Sequence, residues 1–192
     1  MRKPHPRLKW TAWVFVAAWI ALLAASLPQP ARAGGSDNSD VETQLKAAFI
    51  YNFVRFIEWP PRPGSGPVRI GILGHGDLSS SLEEVIRGKA ANGHSIEVLY
   101  INAGADAERC EILLIERSEA KHVKDISQAL AGKPVLIVCD GGNCFRDGAT
   151  IAFQMVDESV RFQINQEAAA HAGLKISSQL LKVALPGAGT HL

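Results

Sequence analysis

Short apolar segments that alternate with helical ones constrain the fold of this chain most. Three of them are almost wholly apolar: VRIGIL at Val68–Leu73, EILLI at Glu111–Ile115 and VLIV at Val135–Val138. A fourth strand is predicted at Ser95–Ile101. Strands apolar on both faces are typical of a parallel sheet covered by helices. The sequence therefore predicts a single layered α/β domain with a mostly parallel central sheet flanked by helices.

An antiparallel hairpin is predicted near the end of this sheet. Its strands are Thr150–Val156 and Val160–Ile164, joined by a tight turn at 157–159. Apolar and polar residues alternate in the second strand, which indicates that one side of it faces solvent.

Five helices are predicted before, between and after the strands. Ser39 with Glu42, and Ser80 with Glu83, have the spacing of a capping box. The predicted helices are Ser39–Ile57, Leu78 or Ser79 to Arg87, Ala120–Leu130, Gln166–Ala172 and Ser177–Ala184.

The first 33 residues have the order of a secretory signal peptide. Basic residues precede the apolar segment 11–27, two prolines follow, and Ala31-Arg32-Ala33 is a small-x-small cleavage site. We predict cleavage after Ala33, a flexible leader at 34–40, the α/β domain at 41–185 and a tail at 186–192. The alternative is a retained membrane anchor, although a span typically needs about 20 apolar residues.

Charge argues against a nucleic-acid partner. Removal of residues 1–33 takes five of the 20 basic residues and no acidic ones, which leaves 15 basic against 19 acidic residues, a net charge of −4. Nucleic-acid binding depends on clustered Lys and Arg, and the predicted mature chain has no such cluster.

Three cysteines raise the question of a disulfide. Cys139 and Cys144 flank four residues, and in an exported protein such a pair favours a disulfide over two free thiols. A metal site is the third alternative, but the histidines are scattered and not paired at short spacing. Cys110 is then either a buried free thiol or the site of an intermolecular bridge.

The sequence lacks the common catalytic and cofactor-binding signatures. GILGHGD at 71–77 has its glycines in the wrong order for a dinucleotide fingerprint, although a small anion at the next helix N-terminus is an alternative. G-x-S-x-G, H-E-x-x-H and Walker patterns are absent from the sequence. We therefore expect no enzyme, no cofactor and no bound metal.

Aromatic residues concentrate towards the end of the first helix. The predicted core-facing stripe of this helix is Val41, Leu45, Ala48 or Phe49, Asn52 or Phe53, and Phe56. Trp59 directly precedes two prolines, so its ring either packs on the core or contributes to a partner-binding surface.

Several of these segments also resemble one known family. LKAAFIYNFVRFIEWP at Leu45–Pro60 is similar to the opening block of the YfiR/HmsC-like family of exported bacterial proteins, and Val160–Ala184 is similar to its closing block. VRIGILG, CEILLI and KPVLIVCD resemble its strands between these blocks. The resemblance covers nearly the whole predicted mature chain, in order.

That resemblance implies a periplasmic regulator that is not an enzyme. Members restrain an inner-membrane diguanylate cyclase by binding its periplasmic region, which lowers cyclic di-GMP and biofilm formation. The resemblance also implies sequestration by an outer-membrane lipoprotein, homodimer formation, and a dependence of stability on cysteine redox state.

A periplasmic small-ligand sensor is the second hypothesis. Its cleft would lie at the carboxyl ends of the parallel strands, near Gly74–Asp77 and Asp140–Asn143.

Overall fold

The computed structural model describes residues 36–61, 66–102 and 104–186. The predicted signal peptide at 1–33 lies outside these residues, as do the first two residues of the predicted leader and residues 187–192 of the predicted tail.

The described residues form nine strands, five α-helices and two 3₁₀ helices. The strands are β1 Ile57–Glu58, β2 Val68–Leu73, β3 Ala90–Ala91, β4 His94–Ile101, β5 Ile112–Ile115, β6 Leu136–Asp140, β7 Ile151–Val156, β8 Ser159–Ile164 and β9 Lys175–Ile176. The α-helices are α1 Ser36–Phe56, α2 Asp77–Ile86, α3 Val123–Ala129, α4 Gln166–His171 and α5 Ser178–Val183. The 3₁₀ helices are Gly104–Arg109 and Arg117–His122.

Seven strands form the central sheet, in the order β3-β4-β2-β5-β6-β7-β8. The five strands from β4 to β7 in this order are parallel, whereas β3 and β8 are antiparallel to their neighbours. β1 and β9 form a separate antiparallel pair. The prediction of a mostly parallel α/β sheet with an antiparallel hairpin is confirmed.

The strand order reverses direction next to β2. The chain passes from β2 to β4 on one side of β2, and then returns to β5 on the other side. In open α/β sheets, the loops at the carboxyl ends of strands diverge at such a point and leave a crevice. A ligand-binding crevice is therefore expected between the carboxyl ends of β2 and β5.

Each central strand contributes to two cores. Ile70, Ile72 and Leu114 face the core that α1, α2, α4 and α5 cover, whereas Leu113 and Ile115 face the core that α3 covers. Because both faces of the sheet are buried at β2, β5 and β6, these three strands are apolar along almost their whole length.

Helix α1 differs from the prediction in its start and in its buried face. It begins at Ser36 and not at Ser39, so the predicted capping box of Ser39 and Glu42 lies inside the helix. Val41 and Leu45 are 62% and 42% exposed.

The buried stripe of α1 and its continuation into β1 is Lys46, Ala47, Ile50, Phe53, Val54 and Ile57. This stripe and the predicted one both follow helical spacing and share Phe53, so spacing alone does not separate them. Phe49 and Phe56 are partly buried and pack against the core.

Helix α2 also starts differently from the prediction. It begins at Asp77, with Gly76 as its N-cap, so the capping box predicted at Ser80 and Glu83 is wrong. The Ser79 hydroxyl instead accepts a hydrogen bond from the Gly76 N–H, at 3.2 Å. Glu83 accepts one from the Tyr100 hydroxyl.

Candidate functional site

A polar cleft lies where α1 meets the carboxyl ends of β2, β5 and β6. Its volume is about 350 Å³. The lining residues are Ser39, Glu42, Thr43, Lys46, His75, Gly76, Asp77, Leu78, Glu116, Arg117, Ser118 and Asp140. The cleft thus occupies the crevice that the reversal of strand order creates.

Lys46 is the most unusual residue of this cleft. Only 2% of it is exposed, and lysine is almost never buried to this degree unless it is paired. Its Nζ donates hydrogen bonds to Asp140 Oδ1 at 2.6 Å and to Glu42 Oε1 at 2.5 Å. The ammonium group therefore joins α1 to the end of β6 through a buried ion pair.

Arg117 adds a second positive group at the mouth of the cleft. Its side chain is 65% exposed, and its Nη2 lies 3.6 Å from Asp140 Oδ1 and 3.8 Å from Glu42 Oε1. The formal charges of Lys46, Arg117, Glu42 and Asp140 cancel, so the four groups form a compensated cluster.

The N-terminus of α2 is occupied by a carboxylate of the protein itself. Glu116 is 5% exposed, and its Oε1 accepts a hydrogen bond from the Ser79 N–H at 2.8 Å. A Cβ added to Gly76 would lie only 3.0 Å from Glu116 Oε2, so glycine makes this approach possible. A negative group here is stabilised by the helix dipole. Glu116 thus occupies the position that the sequence analysis considered for a small external anion.

A disulfide joins Cys139 and Cys144 in the structure, and their Cα atoms are 6.1 Å apart. Asp140 is the first residue of the closed loop, so the bridge restrains the segment that holds the partner of Lys46. Gly141 follows with a φ of +85°, and a Cβ there would lie 3.4 Å from the Arg117 guanidinium carbon. Glycine at this position thus gives Arg117 its room.

Cys110 carries a free thiol that is 3% exposed. Its Sγ would lie 2.9 Å from a Cβ added to Gly71, so it fills the space beside that glycine in β2. Burial raises the pKa of the Cys110 thiol above its ordinary value. An intermolecular bridge would require this thiol to leave the core.

Trp59 packs against the core and is partly buried. Its Nε1–H donates a hydrogen bond to the Glu111 carbonyl oxygen at 3.1 Å. This contact gives the residue a structural role, and its contact with a partner stays a prediction.

The sequence analysis predicted some of the residues that line this cleft but not others. Gly74–Asp77 and Asp140–Asn143 were expected at the cleft, and of these residues His75 to Asp77 and Asp140 line it, whereas Gly74 and residues 141–143 do not. Lys46 and Glu116 were missed, since each stands beside apolar residues that suggest a simple core segment. A charged residue on the buried side of a helical stripe is the signal that could have identified Lys46.

The described part of the chain was compared with the requirements of a metal site and of a membrane-spanning helix. Within it, no group of three or more His, Cys, Asp or Glu side chains is placed to hold a metal ion. None of its helices combines the length and apolar character that a membrane span needs.

We expect Lys46→Met to lower the free energy of unfolding by about 3 kcal/mol, because it leaves the Asp140 carboxylate buried without its main partner. Adding Asp140→Asn should restore part of this loss. Denaturant unfolding measures both effects. The matched control is Lys133→Met, which removes an exposed pair with Glu108 and should cost less than about 1 kcal/mol. Equal losses for Lys46 and Lys133 would contradict the buried-pair interpretation.

We expect Cys139→Ala to lower the free energy of unfolding by about 2 kcal/mol under oxidising conditions, since the short closed loop restricts the unfolded chain only modestly. Reductant should lower the free energy of unfolding of the wild type to a value close to that of the variant. Cys110→Ala is the control. Because Cys110 is not part of the bridge, reductant should lower the free energy of unfolding of this variant by as much as it does for the wild type. Identical unfolding of the wild type with and without reductant would rule out a stabilising bridge.

Comparison with known proteins agrees with this fold and connects the chain to one family. Among solved structures, the chain is similar to a conserved domain protein from Vibrio cholerae O1 biovar El Tor strain N16961, with a TM-score of 0.50, 14% identity, and coverage of 74% of this chain and 58% of that one. It is also similar to an ABC domain in complex with L-Trp from Streptococcus pneumoniae, with a TM-score of 0.45, 13% identity, and coverage of 61% and 54%.

This chain thus spans less than two thirds of either structure, and at these identities the first likeness concerns the fold alone. No curated relative matches the chain. A model of the YfiR/HmsC-like family matches residues 43–185, which is most of the chain and includes every strand and all of α2 to α5. The resemblance seen in the sequence is confirmed, and the chain belongs to the YfiR/HmsC-like family.

Proposed function

We propose that this protein is a periplasmic negative regulator that binds the periplasmic region of an inner-membrane diguanylate cyclase. Binding would restrain the cyclase and so lower cyclic di-GMP and biofilm formation. The observation that carries the proposal is the family match over residues 43–185. The proposal places the protein in the periplasm after removal of residues 1–33, with an outer-membrane lipoprotein and a second copy of the chain as further partners.

The proposed mode of action is contact with another protein and not turnover of a substrate. Three of the exposed apolar side chains line the same groove, which has a volume of about 650 Å³. They are Val41 and Leu45 on α1 and Met155 on β7, and charged side chains such as Glu158 and Arg161 line the groove beside them. Exposed apolar surface of this kind supports a protein-binding role.

Deletion of the gene tests the function directly. We expect cyclic di-GMP and biofilm to rise in the deletion strain, and the wild-type gene to restore both to their original levels. Leu45→Glu should restore them poorly, because it puts a charge among the apolar side chains of the groove. Val183→Glu is the matched control, since Val183 is 55% exposed on α5 and does not line that groove.

The readouts are cyclic di-GMP by mass spectrometry and the amount of each variant in the envelope. Unchanged cyclic di-GMP after deletion, with the cognate cyclase present and expressed, would contradict the proposal. Full complementation by Leu45→Glu would place the contact surface elsewhere on the protein.

A second function, a periplasmic small-ligand sensor, is favoured by the cleft at the strand ends. Ligands bind at this place in open α/β sheets, and the cleft holds the buried Lys46 ion pair. A ligand there would also be compatible with regulation of a cyclase, because α1 contributes to both the cleft and the groove that Val41, Leu45 and Met155 line.

A further inference from the structure

We propose that the cleft between α1 and the ends of β2, β5 and β6 binds a small uncharged molecule with several hydroxyl groups, such as a monosaccharide or a cyclic polyol. This inference rests on the second function above, that the cleft takes a ligand. It specifies the class of that ligand from the charges and hydrogen-bonding groups of the cleft.

The buried ion pair disfavours a charged ligand. The ammonium of Lys46 lies between the carboxylates of Asp140 and Glu42, at 2.6 and 2.5 Å. A cationic ligand would have to compete with this ammonium for the same two carboxylates. An anionic ligand could approach the exposed Arg117, but the lining of the cleft carries four carboxylates, which disfavours a further negative charge; they belong to Glu42, Asp77, Glu116 and Asp140.

The remaining strand-end position for an anion is also filled. Phosphates bind at the N-terminus of the helix after the first strand in many α/β proteins. Here the Glu116 carboxylate accepts the Ser79 N–H at that terminus, and Glu116 is buried. A phosphate or carboxylate ligand would therefore meet a negative charge where related folds offer free N–H groups.

A hydroxyl-rich ligand matches the groups that are left. In the described part of the chain, the contacts of Glu42 and Asp140 all go to Oε1 and Oδ1, which leaves Glu42 Oε2 and Asp140 Oδ2 as acceptors. Arg117 supplies donors at the mouth, and the Ser118 hydroxyl can both donate and accept. Neighbouring hydroxyls donate to carboxylates and accept from guanidinium without adding net charge.

The size of the cleft agrees with a ligand of this class. Its volume of about 350 Å³ lies near the lower end of the range of roughly 300–1,000 Å³ for small-molecule sites. His75 lines the cleft, and its ring is held by stacking on Tyr100 at 5.1 Å between centroids. A flat ring held in this way can pack against the apolar C–H face of a sugar ring.

The test is isothermal titration calorimetry on the protein as purified from cells that express the full chain. The uncharged probes are D-glucose, D-galactose and myo-inositol, and the charged probes are D-glucuronate, D-glucosamine and inorganic phosphate. Because sugars at high concentration also act on proteins by exclusion from their surface, only saturable binding with a dissociation constant below about 10 mM is counted.

We expect saturable binding of at least one uncharged probe and none of the charged ones. Arg117→Ala should weaken that binding about tenfold, which corresponds to the loss of about one charge-assisted hydrogen bond. Arg87→Ala is the control, since Arg87 is exposed beyond the C-terminal end of α2 and does not line the cleft, and it should bind as the wild type does.

Three outcomes would overturn the inference. Binding of a charged probe alone, with dependence on Arg117, would contradict the ligand class but leave the ligand-sensor function standing. Binding of no probe would overturn the ligand class. Binding that Arg117→Ala and Ser118→Ala leave unchanged would place the ligand outside the cleft. None of these results bears on the cyclase proposal, which the deletion strain tests separately.

Discussion

The buried ammonium of Lys46 is the interaction on which the arrangement of this domain depends. It reaches from α1 to Asp140 at the end of β6, and a second carboxylate on the same helix, Glu42, holds it from the other side. Since burying an unpaired charge is very costly, loss of one partner alone should weaken the packing of α1 on the sheet. The disulfide from Cys139 to Cys144 restrains the loop that Asp140 begins.

The same helix takes part in two surfaces. Residues of α1 such as Lys46 and Glu42 line the polar cleft, and Val41 and Leu45 line the groove beside the β7–β8 hairpin. A change at the cleft that alters the position of α1 would therefore also alter the groove. For a protein proposed to act by contact, this connection is a physical route from a bound molecule to a partner.

Much of the fold could be predicted because it depends on local apolar patterns. The strands VRIGIL and VLIV, and the hairpin with its alternating second strand, are buried in the way their composition indicates. The starts of α1 and α2 were wrong, because the first helix extends to Ser36 and the second is capped partly by Glu116, which is 37 residues away from Ser79 in the chain. Capping by a distant side chain leaves no local signal.

The cleft was only partly predictable for the same reason. Asp140 and the glycine turn after β2 could be placed because parallel strands end at the same edge of a sheet. The partner of Asp140 is 94 residues earlier in the chain, and a lysine within an apolar helix gives no direct indication of which carboxylate it meets. Long-range charge pairing of this kind depends on tertiary structure.

Hydrogen–deuterium exchange of α1 in the wild type and in Lys46→Met tests most directly whether the buried ion pair holds this helix on the sheet. The account predicts that amides of residues 41–50 lose protection in the variant, while those of β2 and β5 remain protected. Unchanged protection of α1 in the variant would show that apolar packing alone holds the helix, which would contradict the central role given to Lys46.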